Sequence, residues 1–540
     1  MTEPAPEGAP GPTKPSRDNG IGGIPQWAVV AVAVIVLLIA GYVLLRMLST
    51  EDVRVDGLPS HPVRAEATAD GSIQIRSEGG GSTVLLDGKP VPTTPQDGAV
   101  AVHAPAVPDG SHVLEVVTPR AISWLGSAST TQEFTVDSAP PELQVEDSLR
   151  PEKLGEPVTV TGKAAGADQV TVAGEPVRPG PDGAFSAVVD RPEREVQVVA
   201  TDLAGNRAER TMTVHIKHPG MRAVHMTGLA WTSDSLREPV LELARQGRID
   251  TVELDIKDES GEIPYDSALP EANRIGAVKN YYDAREALDQ LHGMGVRVVG
   301  RLVAFKDPVL GEASWREGHR ERVVQTADGQ PWSSGYGDFA FTNFADPAVR
   351  QYNIDLAAEA ASLGFDDVLY DYVRRPDGGI EKMRFAGLRT TPEQGIADFL
   401  RDTQTAVRSK GALLGASVFG IAVDRPTQIA QDIPRMAKYV DYIAPMVYPS
   451  HWGPGEFGVD DPNTQPYEIV QRSLAEFAKA VEGTDVQIIP WLQDFSLGAS
   501  YGPAEVGAQI KAAQDDGMPS YLLWAPNCRY HGEALAPQQP

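Results

Sequence analysis

From residue 221 onward, short apolar runs alternate with segments of helical period, and this alternation restricts the possible folds more than any other feature of the 540-residue chain. The runs cover 223–226, 251–256, 296–303, 367–371, 414–418, 442–447, 486–490 and 521–524; helical segments such as 235–246, 284–292, 347–363, 392–410 and 467–481 lie between them. Runs this short read as strands, and strands separated by helices pair in parallel, because a parallel neighbour needs a crossover connection. Eight such units in succession predict a (β/α)8 TIM barrel over residues 221–535.

In that fold catalytic groups sit at the C-terminal ends of the strands, so polar residues there carry the functional reading. The second strand ends in Asp255 and Lys257, the third in Arg301 with Lys306 and Asp307 beyond, and the fourth in Asp371 with Arg374. Tyr448, Ser450, His451 and Trp452 follow the sixth strand; Trp491, Gln493 and Asp494 belong to the seventh, and Trp524 and Asn527 to the eighth. The fourth strand is the most pointed. Side chains alternate along it, so Asp367, Leu369 and Asp371 share one face and Val368, Tyr370 and Tyr372 the other. A carboxylate among apolar neighbours is costly unless paired, and Arg374 and Arg375 follow at once. A structural role for Asp371, paired with Arg374 or capping the next loop, stands beside the catalytic one.

Carboxylates converging among Trp and Tyr suit sugar chemistry, in which flat rings stack on pyranose faces and two carboxyl groups act at the glycosidic oxygen and the anomeric carbon. Asp371 is expected to be the nucleophile or base and Asp255 its acid partner, since their strands stand two apart and the groups can face each other across the barrel mouth. A separation of about 5 Å favours retention, and roughly 6.5 to 9.5 Å favours inversion. Asp494, and behind it Asp307 and Glu253, are the alternative second acids. Lys257, Arg301 and Arg374 are expected to bind substrate and tune the carboxylates, with simple salt bridges to Asp255 as the alternative for the first two. Tyr448, His451, Trp452, Trp491, Asp494 and Trp524 are the expected substrate-binding residues, with barrel core as the alternative for Tyr448 and the three tryptophans. No His-Glu-x-x-His, Gly-x-Ser-x-Gly or phosphate-loop pattern occurs, so neither a metal nor another cofactor is expected.

The ordered motifs 253–261, 300–307, 364–374, 417–420, 444–452 and 523–527 resemble those of the glycosyl hydrolase domain family of bacterial barrel proteins. More loosely they resemble alpha-amylase-type and other polysaccharide-cleaving barrels. The resemblance implies a TIM barrel that acts on a polysaccharide. In the related barrels an acidic residue is expected near the end of the fifth strand; this chain has Ser417 there, which leaves the second catalytic carboxylate open.

Ahead of the barrel, Val- and Thr-rich strands with Gly, Pro and Asp turns at short intervals predict two all-β sandwich modules, 55–137 and 139–217. In the second, residues 201–207 resemble the final hairpin turn of bacterial immunoglobulin-like surface modules; a spacer role is implied, with carbohydrate binding the alternative. Residues 27–45 carry no charge over about 19 positions, close to the roughly 20 that a bilayer requires. Arg46 follows in place of a small-residue cleavage site, which predicts an uncleaved transmembrane helix. The Pro/Gly-rich residues 1–26 are expected to be a disordered cytoplasmic tail, with the bulk of the chain outside the membrane. A net charge of −27 argues against nucleic acid or an anionic lipid surface as partner. Cys528 is the only cysteine, so no internal disulfide or Cys-based zinc site can form.

Two readings of function follow. One is a membrane-anchored extracytoplasmic glycoside hydrolase that cleaves an envelope or extracellular polysaccharide. The other is a non-catalytic carbohydrate-binding scaffold whose barrel has lost one carboxylate.

Overall fold

The structure is a computed structural model that describes residues 26–48, 54–56, 58, 60–76, 81–96, 99–105, 107–119 and 126–537. The expected disordered tail therefore lies outside the described residues, apart from Gln26. The helix Gln26–Leu48 is 23 residues long, and its described side chains, Trp27 and 29–44, are almost all exposed. Counted over the described residues, no helix is long and apolar enough to cross a membrane.

Two compact units divide the chain: residues 1–141 with the turns 166–168 and 201–208, and the remainder. The first is β-rich. Strands Thr83–Leu86, Gly110–Pro119 and Ser127–Val136 pair antiparallel, and alternation turns Val84, Leu86, Leu114, Val116, Phe134 and Val136 into one core. Strands between residues 142 and 214, most of them in the second unit, form a five-stranded and a three-stranded sheet.

The rest of the second unit is the barrel. Its parallel strands are β1 (Arg222–Met226), β2 (Thr251–Lys257), β3 (Arg297–Val303), β4 (Asp367–Asp371), β5 (Leu413–Phe419), β6 (Tyr442–Met446), β7 in two pieces (Gln487–Ile488 and Trp491–Gln493) and β8 (Tyr521–Trp524). β1 pairs with both β2 and β8, and β5 with both β4 and β6, which closes the ring. Each strand falls on an apolar run read from the sequence, except that the second piece of β7, Trp491–Gln493, lies just beyond the run 486–490. Pro490, which has no N–H to give to a ladder, stands at the break in β7.

Alternation sorts the barrel side chains into two sets. Val252, Leu254, Ile256, Val298, Leu302, Val368, Tyr370 and Val418 face the surrounding helices, and Ala223, Val299, Leu369, Tyr442, Ala444 and Leu522 fill the interior. The helix Pro347–Leu363, which leads into β4, begins where the Asp346 carboxylate accepts from the N–H groups of Ala348 and Val349. It stops at Gly364, whose φ of 118° suits a residue without a β-carbon. His218, from the segment entering β1, is buried beside the Tyr442 ring, with Nε2 3.5 Å from Asp367 at the start of β4. Asp367 also takes two hydrogen bonds from Arg297, at 2.7 and 2.8 Å.

Gly415 in β5 tests the interior packing, because a β-carbon there would lie 2.3 Å from the Tyr442 ring. Gly415→Ala is expected to lose about 1–3 kcal/mol in urea denaturation. Gly293→Ala, at a helical glycine with open space around its would-be β-carbon, is expected to be neutral or slightly stabilising. Equal behaviour of the two variants would contradict the packed interior.

Candidate active site

At the C-terminal ends of β2, β3 and β4, inward-facing residues at or near register partners come together: Asp255 pairs with Arg301, and Arg301 with Leu369, two residues before Asp371. The Arg301 guanidinium joins them. Its Nη1 donates to Asp255 Oδ1 at 3.0 Å, and its Nε and Nη2 donate to Asp371 Oδ2 at 3.1 and 2.7 Å. Nη1 also donates to Glu259 Oε2 at 3.2 Å, in the loop after β2. Asp255, Arg301 and Asp371 are all buried, while the Glu259 side chain is 44% exposed. From β1, His225 Nε2 lies 3.0 Å from Asp255 Oδ1, and its ring packs against Trp524 with centroids 4.4 Å apart.

These contacts set the charge states. Burial opposes ionisation of Asp255, but the charges and hydrogen bonds of His225 and Arg301 outweigh it and hold the carboxyl below its ordinary range. Glu259 is likewise pushed up by burial and brought below the ordinary range by Arg301. Asp258 is pushed up to about 6, chiefly by burial, with repulsion from Asp255 and Glu259 in the same direction. Glu253, one inward position below Asp255, is the opposite of its neighbours: neither carboxyl oxygen has a partner, and burial pushes its pKa well above the carboxylate range. It is therefore a neutral acid beneath the site.

Arg301, Asp371 and Glu259 line a cavity of about 430 Å³ together with Tyr336, Tyr372, Phe419, Tyr448, His451, Trp452, Trp491, Phe495 and Trp524. Of the residues expected from the sequence, Asp371, Arg301, Tyr448, His451, Trp452, Trp491 and Trp524 meet at this cavity. Asp255 stands behind Arg301 and does not line it. Burial pushes the His451 imidazole below its ordinary pKa, which favours the neutral ring.

Three expected residues lie elsewhere. The register slips between Asp255 and Lys257, so Lys257 leaves the inward series and points out of the barrel, where its Nζ meets Asp307 at 2.6 Å and Asn353 at 2.9 Å. Asp307 is occupied by that pair and by capping the helix Pro308–Arg316, which removes it as an alternative acid. Arg374 does not pair with Asp371; it contacts Asp377 at 3.4 Å and lies 4.2 Å from the Phe419 ring centroid. Asp494 binds the backbone N–H and ring of His531, and it lines a different surface pocket. Ser417, in the place of the expected acid, accepts a 3.0 Å hydrogen bond from the Trp491 indole and so anchors a wall of the cavity.

The structure adds residues that the strand pattern did not supply. Tyr372 was expected to share the face of Tyr370, but its φ of 48° ends the alternation, and its ring lines the cavity. Its N–H donates to Asp371 Oδ1 at 2.7 Å. Glu259 lies in the motif 253–261, two residues beyond the end of β2, where loop position would have been the signal. Tyr336 comes from the turn of a short hairpin, Ser333–Ser334 with Gly337–Asp338, in the excursion between β3 and β4, where no periodicity marks it. Among the described residues, no group of three or more His, Cys, Asp or Glu is placed to hold a metal ion.

A barrel with carboxylates, a buried arginine and aromatic walls at its mouth defines a glycosyl hydrolase-like domain. Residues 223–530 match the family described as "Putative glycosyl hydrolase domain", and the chain belongs to that family. Residues 141–218 match a second family, "Glucodextranase, domain B". Among solved structures, a hypothetical protein from Ruminiclostridium thermocellum is 29% identical, with 38% of this chain and 98% of that one covered and a TM-score of 0.32. The PgaB (BpsB) glycoside hydrolase domain from Bordetella bronchiseptica is 16% identical, with 57% and 95% covered and a TM-score of 0.45. The glycoside hydrolase domain of PelA from Pseudomonas aeruginosa is 14% identical, with 58% and 97% covered and a TM-score of 0.35. No curated protein matches the chain.

The neutral Glu253 has a measurable consequence. Its folded pKa lies above the unfolded value of about 4.3, so the stability it contributes is fully present below that value and is lost as pH rises toward the folded pKa. Glu253→Gln removes this dependence. The stability of the variant relative to the parent is expected to grow between pH 5 and 7, by up to about 1.4 kcal/mol per pH unit. A difference that stays constant with pH would show that Glu253 is ionised in the fold.

Proposed function

We propose that the protein is a glycoside hydrolase that cleaves a cell-envelope or extracellular polysaccharide at the mouth of its barrel. The observation that carries this reading is the aromatic-walled cavity in which Asp371 and Glu259 are tied to one guanidinium. Asp371 is the nucleophile or general base, held by Arg301 and by the Tyr372 N–H. Glu259 replaces Asp255 as the acid partner, because it lines the cavity and is half exposed, whereas Asp255 is buried behind Arg301 and held ionised. Asp255 and His225 are positioning residues that act through Arg301. Tyr448, Trp452 and Trp524 supply flat surfaces for sugar rings.

The all-β region is read as immunoglobulin-like spacer modules, and residues 27–45 as a transmembrane anchor with the N-terminus cytoplasmic. The anchor reading rests on the uncharged sequence and on exposure of Leu37, Leu38 and their neighbours along one helix, a surface that water would not favour. One observation favours the second reading, a carbohydrate-binding scaffold. Glu259, the group assigned as acid, is paired with Arg301 and held below the ordinary carboxylate range.

The two readings separate on release of new reducing ends from a panel of envelope and extracellular polysaccharides. A hydrolase releases them from at least one polymer, and Asp371→Asn is expected to lower kcat about 10³-fold with the polymer still retained. Because an acid with a lowered pKa is protonated in only a small fraction at neutral pH, cleavage is expected to rise as pH falls from 8 toward 5, and Glu259→Gln is expected to remove that rise. Retention on a polymer without cleavage at any pH would establish the scaffold.

A further inference from the structure

A second cavity, of about 970 Å³, lies within the larger unit at the end of the barrel opposite its mouth. One wall is the end of the helix Pro392–Arg408 and the turns that lead into β5 and β6; the other comes from residues 154–155, 191–195 and Thr213 of the preceding β region. Six cations line it: Arg191, Arg194, Arg401, Arg408, Lys410 and Lys438. Glu193 and Glu195 line it with them, and Arg401 is paired with Asp398 and Asp402 and Arg408 with Asp441, on a chain whose net charge is −27.

We propose that this cavity binds a phosphate group, free or carried on a polymer, between Arg194 and Arg408. The side chain of Arg408 is nine-tenths buried. Its Nη2 pairs with Asp441, but its Nε and Nη1 have no hydrogen-bond partner. Gln404, 3% exposed, accepts from Arg194 Nη1 at 2.9 Å and leaves its own Nε2 unpartnered. Three unpartnered donor nitrogens thus belong to buried side chains of the cavity wall, where the lining cations outnumber the lining acids. A buried donor without an acceptor is costly, more so when it is charged. A water molecule could accept from these donors but would leave the repulsion between the two guanidinium groups in place. A tetrahedral oxyanion supplies several acceptors and the missing charge together, and guanidinium groups match its geometry.

The same repulsion shows elsewhere. Arg194 loses basicity chiefly through burial, and Arg408 adds to the loss, against Asp441 and Glu195. The Arg194–Gln404 bond joins the β region to the barrel, but it accounts for one donor and not for the three left over. Position also matters: an anion held here is remote from Asp371, so the site would retain a phosphate-bearing ligand without presenting it for cleavage.

The test uses the full-length protein in an uncharged detergent, with sodium phosphate compared against sodium chloride at equal ionic strength. Phosphate is expected to raise the Tm by about 2–4 °C over chloride. In calorimetric titration, Arg194→Gln and Lys438→Gln are each expected to weaken phosphate binding, the former by about tenfold or more. These positions avoid Arg408, whose link to Asp441 supports the fold, and reducing-end release by both variants is expected to match the parent. A glycerol-phosphate oligomer that binds more tightly than inorganic phosphate, per phosphate, identifies a polymer as the ligand; the reverse order identifies the free ion. Equal Tm values in phosphate and chloride, or titrations unchanged in both variants, would overturn the proposal.

Discussion

Arg301 holds the barrel mouth together. Its guanidinium is buried, and it is shared among Asp255, Asp371 and Glu259. Removing each such ion from water costs several kcal/mol, and that cost is offset only where the geometry satisfies most donors and acceptors. Here one cation is bonded to two buried carboxylates and a third that is half exposed, with His225 beside Asp255 and Lys306 within electrostatic reach of Glu259 and Asp371. Glu253, the next inward carboxyl, is pushed up chiefly by its burial, with repulsion from Asp255 and Asp371 in the same direction and attraction to Arg301 against it. Arg301 itself is held protonated well above its ordinary pKa, because attraction to Asp371 and Asp255 outweighs its burial.

Much of the barrel was legible because its signal is repeated: eight apolar runs at strand length, each separated by a helical segment, leave few alternatives. The site was legible where it followed from strict alternation, as with Asp255, Arg301 and Asp371. It was not legible where the backbone departs from that rule. The slip after Asp255 sends Lys257 outward, and the left-handed conformation of Tyr372 turns its ring into the cavity when alternation placed it on the face of Tyr370. Arg374 and Asp494 were misplaced for a different reason. Position at a strand end shows which residues can reach the mouth, but Asp377 with Phe419, and His531, are nearer partners supplied by loops that sequence spacing does not locate. Glu259 and Tyr336 also come from loops, and a loop side chain has no period from which to infer its direction.

The aromatic residues show how one side chain can serve the core and the cavity together. Trp491 is 1% exposed and packs with the interior set, yet an edge of its ring reaches the cavity, and Ser417 fixes the indole from the neighbouring side of the barrel. Core and binding surface were posed as alternatives for this residue. In a narrow eight-stranded barrel the top layer of the core is also the floor of the mouth, so packing in the core and lining the cavity are compatible.

β4 carries a buried aspartate at each end: Asp371 at the mouth, held by Arg301, and Asp367 at the base, held by Arg297 and His218. His218 precedes the first barrel strand, and its carbonyl accepts a 2.6 Å bond from Gln487 in β7. The polypeptide entering the barrel therefore also serves as its basal plug, contacting two strands that lie on different sides of the ring. A fragment cut immediately before β1 would leave the base of β4 with one partner fewer and β7 with an unmatched amide. A barrel that keeps both contacts begins at or upstream of His218, not at the first strand that a diagram of the barrel would suggest.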